Sequence, residues 1–159
     1  MTFEPGAVKA AALRDAIGAL GYEVEDVEPR RREDPAAVSG PRLSFPENLP
    51  PALDAAVQRA RAESRILVVD FWATWCGPCQ KLKKQTLAAA AVKRLLEGAE
   101  LVLVDVDEYP SFARAWGVKS VPDVVFLTPD GRVQDRLHGF EGPAAFAKRL
   151  RAAVAKQER

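Results

Sequence analysis

The most informative stretch of the chain follows the apolar run 66–69 and reads Asp70-Phe71-Trp72-Ala73-Thr74-Trp75-Cys76-Gly77-Pro78-Cys79. The β-rich residues predict a buried strand over 66–72, and the residues from Cys76 to about Leu96 predict a long helix after it. Cys76 would therefore lie at the positive end of a helix dipole, beside unpaired backbone N–H groups that favour a thiolate. Cys76 is the candidate nucleophile. Cys79, one helical turn later, is placed to attack a mixed disulfide formed there.

Two other uses of a cysteine pair fit this sequence less well. A structural disulfide across so short a loop removes little chain entropy, and disulfide-stabilised folds are usually rich in cysteine, whereas this chain has 2. A zinc site needs about four ligands, and His138 is the only other soft ligand. We therefore predict no metal site and no cofactor, and we expect His138 to be a surface residue without an essential role.

Charge and hydropathy narrow the class of protein. The 159 residues include 23 lysines and arginines and 22 aspartates and glutamates, so no nucleic-acid partner is expected from the overall charge. No apolar run approaches the ~20 residues that span a bilayer, so no membrane insertion is expected. The N-terminal residues lack a signal pattern, which predicts a cytoplasmic protein as written, or a periplasmic one if an upstream signal is missing.

Further elements are predicted on both sides of the cysteine motif. Apolar spacing and turn residues indicate a helix after Pro50-Pro51, a strand near 101–106, a short helix near 110–116, a hairpin of strands 123–127 and 133–137, and a last helix after Gly142-Pro143. This order predicts an α/β fold, with a central mixed β-sheet flanked by helices on both faces.

The N-terminal part of the chain is predicted to be separate from this domain. Residues 7–20 have helical apolar spacing, and residues 22–27 alternate apolar and acidic side chains as in a half-exposed strand. Residues 29–42 are rich in proline, glycine and charge, which is typical of a linker. We therefore divide the chain into a small appendage at 1–28, a linker at 29–42 and the main domain at 43–159.

The cysteine motif and a later motif, Gly117-Val118-Lys119-Ser120-Val121-Pro122, together resemble the thioredoxin family. The resemblance extends over roughly 43–154 and implies a thioredoxin fold. It also implies a thiol–disulfide oxidoreductase that reduces protein disulfides through a mixed-disulfide intermediate. The implied partners are protein disulfide substrates and an upstream dithiol electron donor, and we expect the chain to be a monomer.

Asp70 stands inside an apolar strand, where an unpaired carboxylate is costly to bury. A solvent-facing aspartate at a strand edge is one explanation of its position. The resemblance implies another, in which Asp70 is a buried acid of raised pKa that moves a proton for Cys79. Trp72, two residues later, is expected to pack in the core.

The resemblance also implies a substrate-binding region around the cysteines. Pro122 corresponds to a cis-proline packed against them, although an ordinary trans-proline at the start of an edge strand is the commoner arrangement. Val121 corresponds to the residue that offers backbone groups to an extended substrate segment. Trp75 is expected to flank the substrate groove, and Gly77 and Pro78 keep the turn between the cysteines compact.

Three features depart from a typical thioredoxin. The helix after Cys79 lacks the usual proline, Leu103 replaces a lysine normally found beside the buried acid, and Asp123 follows Pro122 where threonine is usual. The run 81–87 is more similar to the C-terminal reductase domain of membrane thiol–disulfide interchange proteins. These departures concern the natural partner and the redox potential rather than the chemistry of the cysteines.

Residues 2–24 resemble, more weakly, the second half of a heavy-metal-associated domain. The metal-binding Cys-x-x-Cys loop of that family belongs to its first half, so no ligand is assigned from this resemblance. A second function nevertheless stays open, in which Cys76 and Cys79 hold a soft ion such as Cu(I) or Hg(II) in a metal chaperone or metal-resistance protein. An interaction module with a retired site is disfavoured, because both cysteines and their neighbours are intact.

Overall fold

A computed structural model describes residues 40–158 of the chain. The predicted appendage at 1–28, its resemblance to a heavy-metal-associated domain and most of the predicted linker lie outside the described residues. In chain order the described elements are α1 (Pro51–Glu63), β1 (Ile66–Trp72), α2 (Gly77–Lys81), a π-helical segment (Leu82–Leu87), α3 (Ala90–Leu96), β2 (Ala99–Asp105), α4 (Pro110–Ala115), β3 (Asp123–Leu127), β4 (Val133–His138) and α5 (Pro143–Gln157).

The strands form a mixed sheet in the order β2-β1-β3-β4. β1 pairs in parallel with β2 and antiparallel with β3, and β3 pairs antiparallel with β4. The parallel pair is connected through α2, the π-helical segment and α3, whereas a short turn joins the antiparallel pair β3 and β4, as each geometry requires. The predicted α/β fold with a central mixed sheet is confirmed.

Helices cover both faces of this sheet because β1 alternates its apolar side chains between two cores. Leu67, Val69 and Phe71 pack in one core with apolar residues of α1 and α4. Ile66 and Val68 pack in the other core with residues of the π-helical segment, α3 and α5. A strand that is apolar at every position except one is the pattern expected when both faces of a sheet are buried.

The helical stretch predicted from Cys76 to about Leu96 is present but is not one continuous α-helix. The helix passes into the π-helical segment and is interrupted at Ala89, whose ψ of 134° is extended. The buried Thr86 donates its hydroxyl to the carbonyl of Glu141, 2.6 Å away, and so ties the end of the segment to the loop before α5. Nothing in the local sequence marks this interruption, because the alanines around it favour a helix.

The N-terminal edge of the described chain pairs with the turn of the β3–β4 hairpin. Leu43 N–H donates to Gly131 O at 2.8 Å, and Val133 N–H donates to Pro41 O at 3.0 Å. Gly131 has a φ of +88°, and a Cβ there would lie 2.3 Å from the carbonyl oxygen of Leu43. The close approach of these two segments therefore requires glycine at position 131.

This pairing yields a prediction about truncation. Deleting residues 1–39 should leave the main thermal transition nearly unchanged, because the contacts of Pro41 and Leu43 remain. Deleting residues 1–45 should lower the free energy of unfolding by on the order of 1–3 kcal/mol. The longer deletion also removes Phe45, whose ring lies 5.8 Å from that of Trp116. Thermal melts followed by circular dichroism test both truncations. If the protein without residues 1–39 failed to fold, the division into an appendage, a linker and a separate main domain would be wrong.

Candidate active site

Cys76 and Cys79 are joined by a disulfide at the junction between β1 and α2, with their Cα atoms 5.3 Å apart. Cys76 is the N-cap of α2 and keeps an extended backbone, with φ −82° and ψ 102°. Its Sγ accepts a hydrogen bond of 3.1 Å from the backbone N–H of Cys79. A donor directed at this sulfur stabilises negative charge on it when the disulfide opens, so the local geometry favours a thiolate at Cys76.

Both sulfurs are shielded in this oxidised state. Cys76 is 3% exposed and Cys79 is 2% exposed, so the disulfide form does not show the expected difference in access between them. Val106 and Val121 pack against the pair together with Ala73. The asymmetry between the two cysteines in this state is therefore electrostatic, since the N–H of Cys79 is directed at the sulfur of Cys76.

The two tryptophans of the motif differ in environment. Trp75 is 69% exposed, and its Nε1 donates to Oδ2 of Asp107 at 2.8 Å. The sequence predicts Trp72 in the core, but the side chain is half-buried beside the cysteines, and Lys83 Nζ lies 5.3 Å from the centre of its ring. Trp116 is the tryptophan that fills the core. Asp107 is not predicted as a site residue from the sequence, where its position shortly after a predicted strand is the only local signal.

Asp70 is 1% exposed, and its neighbours across the sheet are Leu103 and Val124. The pKa of Asp70 is raised from 3.8 to about 7, mainly by burial and in addition by the negative charge of Asp123, while Lys83 opposes both effects. Leu103 thus occupies the position beside Asp70 where the resemblance implies a lysine. The positive charge that lowers the pKa of Asp70 comes instead from Lys83 of the π-helical segment. The sequence shows several lysines after Cys79, but it does not indicate that Lys83 acts on Asp70.

Asp123 begins β3 and is fully buried. It accepts two hydrogen bonds from Arg136, at 2.9 Å from Nε and 2.7 Å from Nη2. His138 Nδ1 lies 3.5 Å from Oδ1 of the same carboxylate, and its side chain is 63% exposed, so the predicted surface position of His138 is correct. This bidentate pair compensates a charge that would otherwise be costly to bury beside the active site. The unusual aspartate after Pro122 was the signal for this pair.

The peptide bond between Val121 and Pro122 is cis, as the resemblance implies. Pro122 is buried, and its carbonyl accepts a hydrogen bond of 2.8 Å from the N–H of Gly139. Val121 packs against the cysteine pair, whereas Gly77 and Pro78 between the cysteines are exposed. The structure therefore places the cysteine turn and the loop that ends at Pro122 side by side.

The described part of the chain contains neither a metal-binding cluster nor a membrane-spanning helix. Between residues 40 and 158, no group of three or more histidine, cysteine, aspartate or glutamate side chains is arranged to hold a metal ion. In the same part of the chain, every helix is too short or too polar to cross a bilayer.

Comparison with known proteins connects this geometry to one family. A family profile described as a thioredoxin-like domain matches residues 53–154. The chain is 40% identical over 83 residues to a thioredoxin of Staphylococcus aureus, a match that covers 52% of this chain and 76% of that protein.

Solved structures give the same result. A thioredoxin from Thermus thermophilus is similar with a TM-score of 0.61 and 33% identity, over 65% of this chain and 85% of that one. The C-terminal domain of Neisseria meningitidis DsbD in its reduced form is similar with a TM-score of 0.56 and 26% identity, over 63% of this chain and 92% of that one. The sheet and its flanking helices are thus those of a thioredoxin fold.

The buried Asp70 yields a prediction about stability and pH. Because its pKa is about 7 in the folded chain and 3.8 as its ordinary value, folding binds a proton between these two pH values. The carboxylate therefore destabilises the fold progressively from about pH 4 to about pH 7, by on the order of 4 kcal/mol at most. Asp70→Asn should raise the free energy of unfolding at pH 8 but have little effect near pH 4.

Denaturant unfolding of both proteins at pH 4, 6 and 8 measures this difference. Asp54→Asn is a matched control, because Asp54 is exposed on α1 and is bonded to Gln58 of the same helix. A gain from Asp70→Asn that is equal at all three pH values would mean that the ionisation of Asp70 is not its cause.

Proposed function

Because the chain belongs to the thioredoxin-like oxidoreductase family, we propose that it reduces disulfide bonds in protein substrates through Cys76 and Cys79. The observation that carries the proposal is the hydrogen bond from Cys79 N–H to Cys76 Sγ at the start of a helix. This arrangement prepares one sulfur of a closely spaced pair to attack and leaves the other to complete the exchange.

The proposed reaction begins with the reduced dithiol. The thiolate of Cys76 attacks one sulfur of the substrate disulfide, the substrate S–S bond breaks, and the departing sulfur takes up a proton. Cys79 then loses its proton and attacks the sulfur of Cys76, which releases the second substrate thiol and forms the Cys76–Cys79 disulfide. Two electrons pass to the substrate, and an upstream dithiol donor returns two electrons to the oxidised pair.

We assign Asp70 the transfer of the proton from Cys79. Its carboxyl is buried on the central strand and has a pKa of about 7, so both of its protonation states are populated near neutral pH. A group with such a pKa can accept a proton and release it again under the same conditions. This role requires Asp70 to communicate with Cys79 in the reduced protein, directly or through one water.

The residues around the cysteines provide a place for the substrate. We assign Trp75, Gly77 and Pro78 to one side of it, because all three are exposed at the cysteine turn. Val121 and Pro122 form the other side, since Val121 packs against the cysteine pair and is itself partly exposed. An extended substrate segment would lie between them, with its disulfide over Cys76.

The order of attack is tested by trapping. Cys79→Ser should accumulate a stable covalent complex with a disulfide-containing substrate, because the attacking thiolate is present and the resolving thiol is not. Cys76→Ser should trap almost none. Non-reducing gel electrophoresis and mass spectrometry of the two variants after incubation with oxidised insulin measure the difference. Efficient trapping by Cys76→Ser would reverse the assignment.

A comparison of two assays separates reduction from metal carriage. The proposed reductase should catalyse the reduction of insulin by dithiothreitol, and Cys76→Ser should lose this catalysis. A soft-metal chaperone should instead bind Cu(I) at one equivalent, tightly enough to compete with a chromogenic chelator, and should not accelerate insulin reduction. Cu(I) binding without insulin reduction would favour the metal function over the proposed one.

A further inference from the structure

A groove with a cavity volume of about 280 Å³ lies beside the disulfide, between the cysteine turn, α4 and the loop that ends at Pro122. Its apolar lining includes Val106 and Val121, which also pack against the cysteine pair, so the groove is continuous with the reactive site. Val118 and the exposed ring of Trp75 complete this lining. A concave apolar surface that leads to a reactive sulfur is suited to an apolar side chain near a substrate cysteine.

The ionisable side chains that line this groove among residues 40–158 are both cations, Arg114 and Lys119. Both are exposed, and neither forms an ion pair with an acid of the described chain. Arg114 has only a long contact, 3.4 Å from Nη2 to the hydroxyl of Ser111. Asp107 does not line the groove, but its carboxylate accepts a hydrogen bond from the indole N–H of Trp75, which does.

This local charge is not a consequence of the composition of the chain. The sequence carries a formal net charge of +1, with 23 basic and 22 acidic residues. Elsewhere in the described chain many arginines are paired with carboxylates, for example Arg136 with Asp123 and Arg149 with Asp135. Two unpaired cations on one groove therefore provide a charge that a partner can complement.

We propose that Arg114 and Lys119 make this groove selective for substrate segments that carry acidic side chains close to an apolar residue and the disulfide cysteine. The proposal rests on the proposed function, since the occupant is the segment of a protein substrate that is reduced at Cys76. The apolar residue enters the groove, and the acidic side chains meet the two cations at its rim. Exposed cations of this kind act mainly on the association rate and on the orientation of the partner.

The test uses three synthetic peptides that share one intramolecular disulfide and one flanking leucine and differ only in two adjacent residues, Glu-Glu, Gln-Gln or Lys-Lys. The second-order rate constant for oxidation of the reduced full-length protein by each peptide is measured by stopped flow at low salt. The wild-type protein should react with the Glu-Glu peptide on the order of tenfold faster than with the Lys-Lys peptide. The ratio should decrease at high salt.

Charge reversal separates the groove from the rest of the surface. In Arg114→Glu/Lys119→Glu the preference should invert, so that the Lys-Lys peptide becomes the faster of the two. The control Lys93→Glu/Lys148→Glu makes the same change in net charge at exposed positions on α3 and α5, and it should keep the wild-type preference. An inversion in the control as well would assign the effect to net charge and overturn the proposal.

A small uncharged disulfide, hydroxyethyl disulfide, distinguishes a failure of selectivity from a failure of the function. If the wild-type protein reduces this compound, and reduces the three peptides at rates equal to one another, the groove does not select charge and the reductase function stands. If it reduces neither the compound nor any peptide, the proposed function itself fails, and the proposed selectivity fails with it.

Discussion

The pairing of β1 with two neighbouring strands is the constraint on which the rest of the structure depends. β1 is hydrogen-bonded to β2 on one edge and to β3 on the other, and both of its faces are buried. Both edges and both faces of β1 are therefore covered, which fixes the position of its end at Trp72. The cysteine turn begins directly after that residue. The bond from Val106 N–H to Trp72 O extends this pairing beyond β2 and brings Val106 against the cysteines.

β1 also contains the buried carboxyl group of Asp70, whose ionisation is unfavourable in the core. Asp70 occupies a position that packing alone would give to an apolar residue, and the charges around it act in opposite directions. Asp123 disfavours the carboxylate of Asp70, although Arg136 compensates much of that charge, and Lys83 favours it. A buried acid held between such neighbours is typical of a functional position, because a core optimised only for stability would not contain it.

The proposed chemistry and the proposed selection of substrate rest on different parts of this chain. The proposed reactivity rests on a few atoms of the cysteine turn, where the backbone N–H of Cys79 is directed at the sulfur of Cys76. The proposed selection rests on segments that lie well apart from that turn in the sequence, since α4 and the loop 117–122 line the groove beside it. On this proposal, changes in the groove alter which segment binds while the exchange reaction at the cysteines stays the same.

The sequence by itself determined the elements whose signals are local. The bounds of β1, the β3–β4 hairpin and the cysteine pair at the start of a helix all follow from periodicity and turn residues in single short windows. The tertiary structure decided the interruption at Ala89, the half-buried position of Trp72 and the charges that face Asp70. These features depend on contacts between separate elements, such as the hydrogen bond from Thr86 to Glu141 near the interruption. The hydrogen bond from Trp75 to Asp107 is a further contact of this kind. Such contacts exist only after the sheet has brought these segments together, so no local pattern of residues encodes them.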